Sequence, residues 1–220
     1  MSPTSPTRWD LVVPLKPTEV GKSRLAEYAG PRRPELTRAM LFDTVAAALH
    51  SSAVATVLVV TDDRQVEVAL KQTGASVIPD VPSAGLNAAV RFGFEQVRAR
   101  RRDSPVAAVT ADLPALRSQD LTAALIACAE HDRSFVSDAA GVGTTLLATT
   151  IVGDGARSSL APEFGTGSRA AHLRSGAVEI TLALPSLRRD VDTVVDLSDA
   201  RRLGVGPSTR VVLGELDRLA

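Results

Sequence analysis

The chain has 220 residues, with 25 basic and 25 acidic side chains and a formal net charge of zero. That balance gives no basic field for nucleic acid, and 3% aromatic residues leave few stacking platforms for single strands. No apolar run approaches the roughly 20 residues that a membrane span needs. Cys128 is the single cysteine and cannot close an internal disulfide. The three histidines, His50, His131 and His172, lie too far apart for zinc-ligand spacing. A cytoplasmic protein is expected, with no membrane partner and no nucleic acid. Residues 1–9 read as a loose, Pro-rich, disordered tail, and 10–220 as one domain.

Residues 11–15 form the first buried strand. The loop that follows carries Lys16, Lys22 and Arg24. Its Gly-Lys-Ser resembles a phosphate-binding loop, but Lys16 stands where that motif requires its first glycine. Three cations directly after a first strand still suit a triphosphate and a departing pyrophosphate; a solvated basic loop is the alternative. A helix is expected over 35–49, a strand over 56–60 ending at Thr61-Asp62-Asp63, a short helix over 64–72 and a short strand over 76–78. Strand alternating with helix predicts right-handed crossovers and a mostly parallel central sheet flanked by helices, an α/β fold.

At Gly85-Leu86-Asn87 a glycine permits close backbone approach before a helix over 86–100. Asn87 offers a donor and an acceptor for a base or ribose edge, though a helix cap explains it as simply. The apolar run Val106 to Val109 reads as a buried strand ending at Thr110-Ala111-Asp112, where Pro114 stops it. A helix with Ser118 as N-cap follows. The carboxyl end of a parallel strand is where open α/β sheets bind ligands. Asp112 there suits Mg2+ carried on a nucleotide's phosphates. A turn-capping role for Asp112 stays open.

A strand over 134–137 ends at Asp138. Gly141 to Gly143 then makes either an anion cradle or a hairpin turn before another strand. Residues 155–168 read as a flexible substrate-binding segment or a plain surface loop. A glycine turn at Phe164-Gly165-Thr166-Gly167-Ser168 opens a helix whose exposed amides suit a small phosphate or carboxylate. A strand over 178–182 and a helix over 194–203 come next, with a terminal helix over 206–220. Asp190 and Asp192 precede the helix at 194 as ordinary caps or as a second source of metal ligand.

Taken in order, several pieces resemble one group of enzymes. They are Val13-Pro14-Leu15-Lys16 with Lys22-Ser23-Arg24-Leu25, Ala39 to Thr44, Gly85-Leu86-Asn87 and Asp112-Leu113-Pro114-Ala115-Leu116. Gly143-Thr144, Phe164-Gly165 with Ser168 and His172, and Asp190-Val191-Asp192-Thr193 complete the set. The set is similar to nucleotidyltransferases with a glycosyltransferase-A-like (Rossmann-like) fold. Within them it resembles the 2-phospho-L-lactate guanylyltransferase family, in the actinobacterial branch of phosphoenolpyruvate guanylyltransferases of coenzyme F420 biosynthesis. The match runs over about residues 11–205; its single motifs are widespread, and their ordered combination is the specific part.

The resemblance implies Mg2+ held by Asp112 and Asp190, with Lys16 and Lys22 on the triphosphate as catalytic cations. Arg24, Leu86 and Asn87 fall on the nucleotide side, and Thr144, Gly165 and Ser168 on the acceptor side. It implies transfer of GMP from GTP to phosphoenolpyruvate, giving enolpyruvyl-diphospho-5'-guanosine and pyrophosphate. The alternatives are 2-phospho-L-lactate or 3-phosphoglycerate as acceptor, or another small-molecule nucleotidyltransferase of the same fold. A downstream transferase of F420 assembly is the implied protein partner, and a homodimer is compatible. Two positions depart from the family pattern: Thr166 replaces a frequent proline, and Ala171 replaces an arginine before His172. Arg169, Arg174 or another cation is then left to meet the acceptor's carboxylate.

Overall fold

The computed structural model describes residues 7–16, 22–150 and 160–218. β1 (Trp9–Pro14) is followed by α1 (Ala26–Ala29), α2 (Arg33–Leu49), β2 (Val54–Val60), α3 (Arg64–Leu70) and β3 (Ser76–Ile78). Then come α4 (Leu86–Arg100), β4 (Val106–Val109), α5 (Ser118–Cys128), β5 (Arg133–Ser137) and β6 (Thr144–Thr149). The chain continues through α6 (Ser168–Arg174), β7 (Val178–Glu179), α7 (Pro185–Arg188), α8 (Val194–Leu203) and α9 (Pro207–Leu216). Among the described residues no helix is long and apolar enough to cross a membrane.

The strands form one sheet in the order β3-β2-β1-β4-β6-β5-β7. β1 pairs in parallel with both β2 and β4, β2 with β3, and β5 with β7. β6 runs antiparallel to β4 and β5. The mostly parallel α/β sheet is therefore as expected, and β6 is the exception that periodicity did not disclose. From β1 the chain winds outward to β2 and β3, then returns to place β4 on β1's other side. Such a reversal of strand order opens a crevice at the carboxyl ends of the two central strands, here at Pro14 and Val109.

Both faces of the sheet are covered, which is why β1 and β4 are buried throughout. On one face α2 and α5 pack Leu41, Val45, Leu121 and Leu125 against Leu11, Val13 and Val109. On the other, α4 packs Val90, Phe94 and Val97 against Val12, Val60 and Ala108. Each such side chain contributes about 1.5–3 kcal/mol by leaving water. α4 lies very close to the sheet: a Cβ on Gly93 would fall 2.5 Å from Val12 Cγ1. α9 docks on α2, where the buried Asp43 accepts hydrogen bonds from Ser208 N (2.9 Å) and Thr209 N (2.8 Å). That carboxylate satisfies two amides at the start of α9, the role of an N-cap supplied from another helix.

Several boundaries differ from the sequence reading. Trp9 already belongs to β1 and is fully buried, so the ordered body begins before residue 10; residues 1–6 of the expected tail lie outside the described residues. Ser118 is the first residue of α5 rather than its cap; Arg117 holds the cap position. The strand expected over 178–182 stops at Glu179. Beyond it the Ile180 and Leu182 carbonyls accept hydrogen bonds from the Arg188 guanidinium, not from a neighbouring strand. The Gly141–Gly143 loop is a hairpin turn between β5 and β6. Its amides at Val142 and Gly143 both donate to the Asp138 carboxylate at 2.8 Å, so they do not cradle an external anion.

Candidate active site

A cleft of about 580 Å³ opens at the carboxyl ends of β1 and β4, a size suited to a small ligand with a nucleotide. One wall carries Lys16 and Lys22 from the loop after β1. The floor carries Thr110, Asp112, Asp190 and Asp192. The far wall carries Thr144, Phe164, Gly165, Thr166 and Ser168, and Leu86 also lines the cleft. Eight of the anticipated site residues thus meet in one cleft: Lys16, Lys22, Leu86, Asp112, Thr144, Gly165, Ser168 and Asp190. The first part of the substrate segment expected over 155–168, residues 155–159, lies outside the described residues, as do residues 17–21 of the cationic loop.

Asp112 is placed by main chain and by one buried hydroxyl. Thr44, on α2, accepts a hydrogen bond from Leu113 N (3.1 Å) and donates to Met40 O (2.9 Å). The turn therefore needs nothing from the Asp112 carboxylate, which excludes the capping role. Val191 N donates to Asp112 O at 3.1 Å, stitching the second acidic segment to the first. Asp190 and Asp192 are not caps either. α8 is capped by Thr193, whose hydroxyl accepts from Asp196 N while Asp196 accepts from Thr193 N. Both acids are left free to face the cleft.

The Lys22 ammonium donates to Asp112 Oδ2 and to Asp192 Oδ1 (2.6 Å). Burial works against its charge, but the two carboxylates outweigh that and raise its pKa. The backbone at Lys22 is left-handed, with φ +58°, uncommon for a residue with a side chain. Asp192 stays below the usual carboxylate range: burial opposes its charge, but Lys22, Arg24 and Lys16 together outweigh that. Asp190 is pushed up to about 7, first by burial and then by the charges of Asp112 and Asp192, with Asp138 adding to them. Crowded carboxylates of this kind are relieved by a cation.

Among the described residues, three buried oxygens lining the cleft have no hydrogen-bond partner: Thr110 Oγ1, Asp112 Oδ1 and Ser168 Oγ. Buried polar atoms are rarely left so, and those gathered in this cleft leave hydrogen-bonding capacity that a ligand or ion there can use. Among the described residues no group of three or more acidic, histidine or cysteine side chains is arranged to hold a metal alone. The donors fit a hard divalent ion that takes one or two carboxylates and completes its shell with phosphate oxygens. Asp112 Oδ1 is the unpartnered oxygen that such an ion would use.

Two anticipated nucleotide contacts sit elsewhere. Arg24 is exposed and lies outside the cleft lining; its charge reaches Asp192 from a distance. Asn87 turns its amide to the main chain of Phe164, accepting from Phe164 N (2.8 Å) and donating to Phe164 O (3.0 Å). It does not cap α4; it holds the far wall. Arg169 is engaged by both oxygens of Glu179 at 2.8–3.0 Å, and neither it nor Arg174 lines the cleft. Thr110, Asp138 and the pairing of Asp192 with Lys22 were missed. The signal was present: each of these residues follows a strand end or flanks an anticipated ligand.

Lysines beside clustered carboxylates at a strand-order reversal are the arrangement that a nucleotidyltransferase requires. The chain aligns with the family model described as guanylyl transferase CofC like over residues 9–181. It is 51% identical over 211 residues to the phosphoenolpyruvate guanylyltransferase of Streptomyces coelicolor, covering 95% of this chain and 97% of that one. It is 50% identical over 209 residues to the protein of the same name from Thermomonospora curvata, covering 94% and 90%. In fold it matches a Methanothermobacter nucleotidyl transferase with a TM-score of 0.57 at 21% identity, over 89% of this chain and 97% of the other. The chain belongs to the CofC-like guanylyl transferase family.

Proposed function

We propose that the protein transfers GMP from GTP to phosphoenolpyruvate, releasing pyrophosphate and forming enolpyruvyl-diphospho-5'-guanosine for a downstream transferase of F420 assembly. The observation that carries this reading is the convergence of Lys16 and Lys22 with Asp112 and Asp190 in one cleft. The substrates are those of the reaction for which its relatives, the phosphoenolpyruvate guanylyltransferases, are named.

Asp112 and Asp190 would hold Mg2+, which when bound offsets charge on the phosphate oxygens. An oxygen of the acceptor's phosphate attacks the α-phosphorus of GTP in line, and the bond to the β-phosphate's bridging oxygen breaks. The acceptor needs no general base, because a phosphate monoester is already anionic at neutral pH. Lys16 and Lys22 stabilise the charge that builds on the departing pyrophosphate. Leu86 packs at the nucleotide end of the cleft. Thr144, Gly165 and Ser168 hold the acceptor at the far wall, where the Ser168 hydroxyl has no partner of its own.

The test is pyrophosphate release by the purified protein with Mg2+. GTP, ATP and CTP are each paired with phosphoenolpyruvate, 2-phospho-L-lactate and 3-phosphoglycerate, with the downstream transferase present as a trap. Release with GTP and phosphoenolpyruvate is expected. Release confined to another pair would move the substrate assignment, and release with none would defeat the reading.

A further inference from the structure

His172 belongs to the segment singled out in the sequence, yet the proposed chemistry gives it no task. It is fully buried on α6, with its ring lodged between Phe135 and Phe164 at centroid distances of 5.6 and 5.7 Å. Both ring nitrogens are engaged. Glu163 N donates to Nε2 at 3.1 Å, and Nδ1 lies 2.9 Å from Thr144 Oγ1.

An amide N–H pointed at Nε2 requires a lone pair there. The neutral ring must then carry its proton on Nδ1 and donate it to Thr144. A threonine hydroxyl that accepts one hydrogen bond keeps its own proton to give, and Thr144 lines the cleft. Glu163 adjoins Phe164, whose main chain Asn87 grips from the other side. The same ring therefore sets the direction of one hydroxyl and the position of the loop carrying Gly165.

We infer that His172 is a positioning residue, whose Nδ1–H tautomer turns Thr144 into a hydrogen-bond donor aimed at an anionic oxygen of the acceptor while its Nε2 anchors the Gly165 loop. The inference rests on the proposed transfer for the identity of the acceptor, but not for the state of the ring. Burial, and then the charge of Arg133 on β5, push the imidazole down to about 4, which keeps it neutral at working pH. Arg133 is the charged group bearing on the ring, and Glu163 in turn faces Arg133.

Nitrogen-15 NMR of the histidine-labelled full chain tests the tautomer directly. A protonated Nδ1 and a bare Nε2 at neutral pH are expected for His172; a proton on Nε2 would overturn the inference. Steady-state kinetics test its consequence. His172→Leu should raise the acceptor KM about tenfold and leave the GTP KM unchanged. His172→Asn, whose amide nitrogen can take the place of Nδ1, should bring the acceptor KM back to within about threefold of the parent. His172→Gln reaches only towards Glu163 and should not. Equal behaviour of the Leu and Asn variants would overturn the role assigned to Thr144. Should these variants fail to fold in a melting experiment, the tautomer of the parent protein decides. A parent that releases no pyrophosphate would defeat the transfer reaction while leaving the tautomer result to stand.

Discussion

The carboxylate floor of the cleft and its acceptor wall are held in place by different means. On the floor, Asp112 and the Asp190–Asp192 segment are joined through main chain, by Val191 N to Asp112 O, and Thr44 fixes the turn from below. On the wall, main-chain groups of Glu163 and Phe164 have no strand partner, and the side chains of His172 and Asn87 take that role. The floor's carboxylates are thus not spent on their own backbone; Lys22 engages Asp112 and Asp192 instead. The wall's geometry depends on side chains whose polar atoms are engaged within the protein. Changes on the floor should remove turnover without moving the fold, and changes behind the wall should move acceptor affinity and stability together.

The largest effect is expected on the floor. Asp112→Asn keeps the size and the main-chain bonds but removes the charge, and kcat should fall by about 10³-fold or more. The melting temperature should hold within a few degrees. Near-parental turnover in this variant would remove Asp112 from the metal site. On the wall, Thr144→Val should raise the acceptor KM by about 10- to 100-fold, the cost of one hydrogen bond to a charged group, with the GTP KM steady. Equal rises in both constants would show a disturbed cleft instead of a lost donor.

Acid should loosen the wall through His172. Its folded pKa of about 4 lies below its ordinary 6.5, so the unfolded chain binds the extra proton first. The stability held in the neutral ring is fully present above pH 6.5. It is lost as pH falls towards 4, by on the order of 3 kcal/mol at most. Urea unfolding of the parent and His172→Asn should show a stability gap that narrows over that window; a constant gap would contradict it. The smallest effect belongs to Arg169→Ala. Arg169 is half exposed and already paired with Glu179 away from the cleft, so acceptor KM should change less than about twofold. A large rise would restore Arg169 as the acceptor's cation.

The parts of the molecule that were legible in the sequence are those where one local pattern has one outcome. Apolar runs at 11–15, 57–60 and 106–109 could bury only as central strands between two helical layers, and the acids and cations at their ends had one edge on which to gather. β6 buries Leu146, Leu147 and Ala148 between threonines, a pattern that carries no strand direction; the hairpin turn at Asp138 sets it. Asn87 and Phe164 are 77 residues apart, and Lys22 and Asp112 are 90 apart. No local pattern relates such pairs, and a cap or a loose loop was the natural local reading of each. The acids before α8 looked like caps because acids usually are, until Thr193 and Asp196 were found in that role.

Phosphorus-31 NMR of a reaction with GTP, phosphoenolpyruvate and Mg2+ most directly tests GMP transfer, the central claim. The account predicts paired doublets from a diphosphate joining guanosine to the acceptor, with pyrophosphate in equal amount. GDP and inorganic phosphate in their place, or unchanged GTP, would contradict it.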